Sequence, residues 1–324
     1  MPCAIMLSEN IREQIVLTKA LYSFDDWRAG GEYFPHLSHR VFYRRSSREA
    51  ADFNARPVLL LIHGFPTASW DWSAMWADLA TRFTLIAPDL LGMGFSAKPQ
   101  NYVYNISDQA DLCEELLSRL NVGRYHILAH DYGDTVAQEL LARAHDGSAR
   151  MELASICFLN GGLFAETHRP LFSQRLLVSP LGQFVARRIS KTRFTESMTR
   201  VFGVNTPPAK HDIDAMWALL NEHDGLMVLP ALLEYMRERR RHRARWVGAL
   251  IHAAGDALHT PIPIRLIDGA DDPVSGRHMA ARYRQLVPSA DIMLLSGIGH
   301  YPHIEAPDLV LRGYFDFVEG KLGL

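Results

Sequence analysis

The chain has 324 residues, 48% of them hydrophobic and 22% charged, and a net charge of −2. That is the make-up of a globular protein with a large core, and it excludes a disordered chain or a polycation that grips nucleic acid. Three scattered cysteines (Cys3, Cys113, Cys157) exclude a disulfide framework or a cysteine metal site and point to a reducing compartment.

The N-terminus carries Glu9, Arg12, Glu13 and Lys19 among its apolar residues and lacks a signal-peptide core. No later run reaches the roughly 18 uncharged apolar residues of a membrane span. The expectation is a cytoplasmic protein. A short strand is predicted over 41–43 and a charged loop over 44–49. Pro57 to Ile62 is a nearly continuous apolar run, as in a strand buried on both faces of a parallel sheet, and it ends in His63-Gly64-Phe65-Pro66. A helix is predicted over 72–82, a strand over 83–87, and then the glycine-rich turn 88–96. Gly92-x-Gly94 lacks the third glycine of a dinucleotide fingerprint, since position 97 is Ala97, and no helix follows it directly. Another helix is predicted over 107–120, with Ser107 as its cap.

Tyr125-His126-Ile127-Leu128 reads as a buried strand and Thr135 to Arg143 as a helix. Between them lies Ala129-His130-Asp131-Tyr132-Gly133. A strand turning straight into a helix, with a reactive side chain at the turn and glycine two residues on, is a nucleophile elbow. The position usually held by serine is Asp131, a group ionised at neutral pH and favoured by the helix N-terminus. Such a carboxylate needs no base and can attack an sp³ carbon to form an ester. Asp131 can equally be read as the N-cap of the helix.

A strand over 154–159 ends at Asn160-Gly161-Gly162. Strands alternating with helices imply a parallel α/β sheet. The rhythm then breaks: residues 163–255 show helical patterns only, including 216–220 and a long helix over 228–250, and hold 14 Lys+Arg against 8 Asp+Glu. This divides the chain into a core over 1–162, a helical cap over 163–255 and a core over 256–324. Strands return at 262–267 and 291–295, and a last helix is predicted from 307 to about 319. The first of these strands runs into Asp268-Gly269-Ala270-Asp271-Asp272-Pro273-Val274, the second into Gly297-Ile298-Gly299-His300-Tyr301-Pro302-His303. An elbow nucleophile needs an acid and then a histidine after later strands, and Asp131, Asp272 and His300 supply that order. Asp271 competes for the acid role and His303 for the base.

With these residues in place the chain resembles the α/β-hydrolase fold from about Val41 to Phe317, a mostly parallel central sheet with a helical cap insertion. Within it, His63-Gly64-Phe65-Pro66, Asp89-x-x-Gly92-x-Gly94-x-Ser96, His130-Asp131-Tyr132-Gly133 and Gly299-His300 resemble the aspartate-nucleophile branch of epoxide hydrolases and haloalkane dehalogenases. A narrower resemblance, to the mesoderm-specific transcript protein group, rests on the same elbow, on Asn160-Gly161-Gly162 with Glu166-Thr167-His168-Arg169-Pro170, and on Arg245 to Leu250. The resemblance implies a two-step, cofactor-independent hydrolysis. Asp131 forms an alkyl ester, His300 oriented by Asp272 activates the water that cleaves it, and the N–H groups of Phe65 and Tyr132 hold the oxyanion.

For a dehalogenase the resemblance asks for Trp after the nucleophile, where this chain has Tyr132. For an epoxide hydrolase it asks for two acidic donors on the cap. Tyr235 is the only tyrosine in 163–255, with His168, His211 and His223 as candidate second donors. The expected substrate is therefore a small apolar epoxide, ahead of a haloalkane, a lactone or an ester; a non-catalytic binder of a small ligand is the other class. The basic stretch Arg237 to Arg245 reads as a solvated helix face or as a surface for weak association with anionic lipid or substrate.

Overall fold

The computed structural model describes residues 22–48, 56–255 and 261–324. The reading of the N-terminus, Cys3 and the start of the second core segment at 256 lie outside them. After a short helix α1 (Phe24–Ala29), the described strands are β1 (Gly31–His36), β2 (His39–Arg45), β3 (Val58–Ile62), β4 (Thr84–Pro88), β5 (Arg124–His130), β6 (Glu152–Leu159), β7 (Ile264–Gly269) and β8 (Asp291–Leu295). They form one sheet in the order β1-β2-β4-β3-β5-β6-β7-β8. β1 and β2 pair antiparallel and β2 joins β4 antiparallel, while β4 to β8 are mutually parallel.

The parallel strands are apolar on both faces because both are covered. Ile127 and Ala129 of β5 pack into one core with Val136 and Leu140 of the elbow helix. Leu128 between them faces the second core with Trp72, Trp76 and Phe317. Register brings Ile62 opposite Ala129 and His130 opposite Leu159. The carboxyl ends of β3, β5 and β6 therefore lie side by side, where open α/β sheets gather their reactive groups.

Several local expectations need correction. The strand expected at 41–43 is one arm of a hairpin whose turn, Leu37-Ser38, has positive φ at both residues. That is the type I′ geometry usually signalled by Asn-Gly, and without the signal β1 is invisible in the sequence. The helix expected over 72–82 is a 3₁₀ turn at Ser69–Trp72 followed by α2 (Trp76–Arg82). Helix α3 (Ile106–Arg119) is capped by Asn105, whose side chain accepts from the Asp108 N–H at 2.8 Å, and not by Ser107.

Between β6 and β7 the described residues contain no strand. They form α5 (Phe172–Leu177), α6 (Gly182–Ala186), α7 (Lys191–Thr199), α8 (Lys210–Asn221), α9 (Leu229–Leu232), α10 (Tyr235–Arg241) and α11 (Arg243–His252). The single long helix expected over 228–250 is thus α9, α10 and α11, because the last two are anchored separately. Glu238 accepts from the Ile106 N–H at 2.8 Å. Arg245 and the Trp246 indole donate to Glu139 at 3.0 and 2.7 Å. The same contacts consume much of the basic stretch: Arg237 pairs with Glu234, Arg243 with Glu166, and Arg245 with Glu139 and Asp146. No helix among the described residues is long and apolar enough to cross a membrane.

Candidate active site

β5 turns into α4 (Tyr132–Asp146) at Asp131, whose φ of 47° and ψ of −102° lie where L-residues rarely sit. The strain, on the order of 1–3 kcal/mol, is held by packing: a Cβ on Gly133 would lie 2.3 Å from the Ile62 carbonyl oxygen. Glycine there lets the helix start directly against β3. Asp131 makes no side-chain cap hydrogen bond to its helix, so the N-cap reading does not describe its carboxylate. Asp131 is only 3% exposed. Its Oδ2 accepts from the Phe65 N–H at 3.2 Å. Tyr132, as first residue of the helix, has no intrahelical acceptor for its N–H.

The expected partners converge. His300 Nδ1 lies 2.8 Å from Asp272 Oδ2. Asp272 also accepts from the N–H groups of Val274 (2.7 Å) and Ser275 (3.0 Å) and from Asn160 Nδ2 (3.0 Å). Burial opposes its ionisation, but His300 and these donors hold its carboxyl below the usual range. Burial likewise opposes the His300 imidazolium, yet Asp272 and then Asp131 outweigh it and raise His300 to about 9. Asp271 is exposed, and among the described residues no histidine pairs with its carboxylate. His303 is buried against Trp72, ring centres 4.7 Å apart, away from the acid.

Four residues that sequence reasoning passed over complete the frame. Arg239, expected on a solvated face, is 3% exposed. It donates to Thr135 Oγ1 (2.8 Å) and to the Asp131 carbonyl (3.3 Å), and its guanidinium comes within 4.0 Å of Asp131 Oδ1. Gly162 makes room for it, since a Cβ there would sit 2.0 Å from Nη1. Asn160 and Ser275 hold Asp272. Glu305 accepts from the N–H groups of Gly299 (2.8 Å), Gly203 (2.8 Å) and Tyr301 (3.0 Å), fixing the His300 loop to the turn that follows α7. A lone glutamate after a histidine loop carries no periodic signal.

Tyr235 on α10 is 1% exposed with no hydrogen bond to its hydroxyl. Its ring packs 4.8 Å from Tyr132 and 6.5 Å from Phe65, under the Arg239 guanidinium. Burial, and then Asp131, push its hydroxyl pKa up, so it stays protonated. Of the candidate second donors, His211 and His223 are exposed. His168 is the one set inward, with a buried, unpartnered Nε2 and with Arg239, His300 and Asp272 as electrostatic neighbours; burial first, then Arg239, lower it to about 3.

Among the described residues one group of side chains could hold a metal ion. Asp71, His130 and His303 are buried and each can offer an atom within 4.8 Å of the others. His130 Nε2 lies 2.8 Å from the His300 carbonyl, which makes it the donor and leaves Nδ1 as an acceptor. One water with hydrogen bonds near 2.8 Å would hold such atoms about 4.6 Å apart and a tetrahedral zinc at about 2.0–2.1 Å about 3.3 Å apart, and both separations lie inside that limit.

A cavity of about 250 Å³ reaches the site, with Phe65, His300 and Tyr301 at its floor and apolar cap residues such as Leu177, Phe194 and Leu229 on its walls. A larger groove of about 670 Å³, lined by Arg124, Glu152 and His252, lies at the opposite ends of the strands and holds none of these groups.

Comparison with known proteins agrees with this architecture. The model of the alpha/beta hydrolase family matches residues 59–312. The mesoderm-specific transcript protein of Mus musculus is 38% identical over 310 residues, covering 93% of this chain and 89% of that protein. Among solved structures, the haloalkane dehalogenase DbeA from Bradyrhizobium elkani superposes with a TM-score of 0.72 at 21% identity, covering 90% of this chain and 97% of the other. The epoxide hydrolase CorEH does so with a TM-score of 0.68 at 19% identity, over 90% and 98%. The matched span takes in the elbow, the acid and the histidine, and the chain belongs to the alpha/beta hydrolase family, with homology to mesoderm-specific transcript proteins.

Proposed function

We propose that the protein is a hydrolase that opens small apolar epoxides to diols through an ester on Asp131. The observation that carries the reading is the carboxylate itself. A buried aspartate at the strained elbow, with Oδ2 held by the Phe65 N–H, leaves Oδ1 to attack. In the first step Oδ1 bonds to an epoxide carbon, the carbon–oxygen bond of the ring breaks, and the alkoxide takes the Tyr235 proton. In the second, His300, having passed its resting proton to the Tyr235 phenolate, takes a proton from water and the hydroxide adds to the ester carbonyl. The Phe65 and Tyr132 N–H groups stabilise the resulting oxyanion, where loss of one donor typically costs about 10²–10³ in rate. Collapse releases the diol and restores the Asp131 carboxylate beside a protonated His300.

The order of steps has an electrostatic logic. Asp131 contributes to holding His300 protonated in the resting state. Once Asp131 is an ester that charge is gone, so the histidine gives up its resting proton and is free to act as the base when a base is needed. Halide release is less well supported, because Tyr132 takes the place where the resemblance asks for Trp. A pure binder would have no use for the Asp272–His300 pair.

A panel of chromogenic epoxides tests the reading. Asp131→Ala is expected to abolish turnover; residual activity within about tenfold, ~1.4 kcal/mol in the barrier, would mean that another group attacks. Tyr235→Phe is expected to slow epoxide opening by roughly 10²–10⁴ and to spare an activated ester, whose leaving group needs no acid. Equal losses on both substrates would assign Tyr235 to packing.

A further inference from the structure

The cap presents an uncommon surface around the mouth of the cavity. Large apolar side chains are exposed on the segment that borders it: Phe172, which lines the cavity, is 79% exposed, and Leu181 and Phe184, just before the lining residue Val185, are 61% and 56% exposed. The exposed Arg193 lines the cavity too, so this surface is continuous with the way in. Helices α5 and α6 that carry these residues pack on one another. Singly exposed apolar residues are ordinary on a protein surface, but a cluster at a cavity mouth marks an interaction site.

Charge decides the kind of partner. Between 169 and 200 the chain holds seven Lys+Arg and one acid, Glu196, in a protein whose net charge is −2. Arg169, Arg175, Arg187, Arg188, Arg193 and Arg200 are all exposed, and among the described residues none of them forms an ion pair, whereas Lys191 is paired with Asp214. The other basic run of the cap differs: Arg237, Arg239, Arg243 and Arg245 are engaged within the chain. Arg188 lies over the Phe184 ring at 3.4 Å, so cation and aromatic face solvent as one unit. Short amphipathic segments with aromatic and aliphatic tips among unpaired arginines are the chemistry that seats on anionic lipid.

We propose that the α5–α6 face of the cap, with Phe172, Leu181 and Phe184 as apolar tips and Arg175, Arg187 and Arg188 as cations, docks on an anionic lipid surface with the cavity mouth turned toward it. Arginine and phosphate oxygens pair while the three apolar side chains enter the acyl boundary. An apolar substrate dissolved in the lipid then reaches the cavity without crossing water. The proposal rests on the cavity being the substrate's entrance, but the docking is measurable with no turnover at all.

Flotation of the full chain with vesicles tests it, using phosphatidylcholine alone and phosphatidylcholine mixed with phosphatidylserine. Binding at least tenfold tighter to the mixed vesicles is expected, and it should fall steeply with salt as the screening length shrinks from about 10 Å at 0.1 M to about 3 Å at 1 M. Arg187→Glu with Arg188→Glu should weaken binding to the mixed vesicles by tenfold or more. Leu181→Ser with Phe184→Ser should weaken it while leaving the salt dependence in place. These four side chains lie outside the catalytic groups, so folding is checked by an unchanged melting temperature and Asp131-dependent turnover of a water-soluble substrate by an unchanged rate. Equal binding to both vesicle types, or binding that neither variant changes, would overturn the proposal. So would a dimer in sedimentation that Leu181→Ser with Phe184→Ser breaks, without any vesicle binding: the face would then be an interface between copies of the chain.

Discussion

Asp272→Asn is expected to convert His300 from a residue charged at neutral pH into one that is neutral there. Burial is the largest influence on His300 and disfavours the imidazolium; Asp272, 2.8 Å away, and then Asp131 reverse it and raise the histidine to about 9. With the Asp272 charge removed, burial prevails over Asp131, and His300 should titrate below its ordinary value of about 6.5. The same gap has a consequence for stability. A histidine whose pKa is raised on folding contributes stability that is complete below about pH 6.5 and lost as pH climbs through about 9. Here it is on the order of 3 kcal/mol. Asp272, lowered on folding, has the opposite sign: its contribution is present at neutral pH and lost on acidification. The variant should therefore lose stability at pH 6 and show a much flatter decline between pH 6.5 and 9.5. Ring signals of labelled histidine give the titration and denaturant unfolding gives the stability. An unchanged His300 titration, or an alkaline decline as steep as in the native chain, would refute the reasoning.

Arg239→Met removes a buried cation with its bonds to Thr135 and the Asp131 carbonyl. Charged hydrogen bonds contribute about 1.5–3 kcal/mol each, so denaturant unfolding should show a loss of roughly 3 kcal/mol. Gly133→Ala would press a Cβ to 2.3 Å from the Ile62 carbonyl oxygen. Backbone cannot yield as a side-chain tip does, so a loss of at least about 3 kcal/mol is expected, visible as a lowered melting temperature, whereas Gly248→Ala, inside a helix with nothing within 4 Å, should stabilise by about 1 kcal/mol and serves as the control.

The core of the site was readable because strand ends announce it. Buried runs at 57–62, 124–130 and 262–267 each stop at polar or glycine residues, and in a parallel sheet those stops share one edge. Asp131, Asp272 and His300 could be placed from order alone. Arg239 could not, because helical periodicity places it among arginines at 237–245 and says nothing of which one turns inward. That is decided by Thr135 and by the missing side chain of Gly162, 77 positions away in sequence. The break of the expected long cap helix has the same origin, in the separate anchors at Ile106 and Glu139. β1 was hidden by a turn whose geometry is that of Asn-Gly but whose residues are Leu37-Ser38.

The central claim, an ester on Asp131, is tested most directly by isotope and mass in two arms of one measurement. Water attacking the ester carbonyl leaves its oxygen in the carboxylate, so native protein turning over an epoxide in heavy-oxygen water should carry label in the peptide containing Asp131. His300→Gln spares the first step, since an ionised carboxylate needs no base, and blocks the second. It should stop after one turnover with the mass of the substrate added to that same peptide. A serine-type triad would fail at the first attack instead. Unlabelled Asp131 in the native enzyme together with an unmodified His300→Gln protein would contradict the account and leave Asp131 a residue that shapes the elbow without reacting.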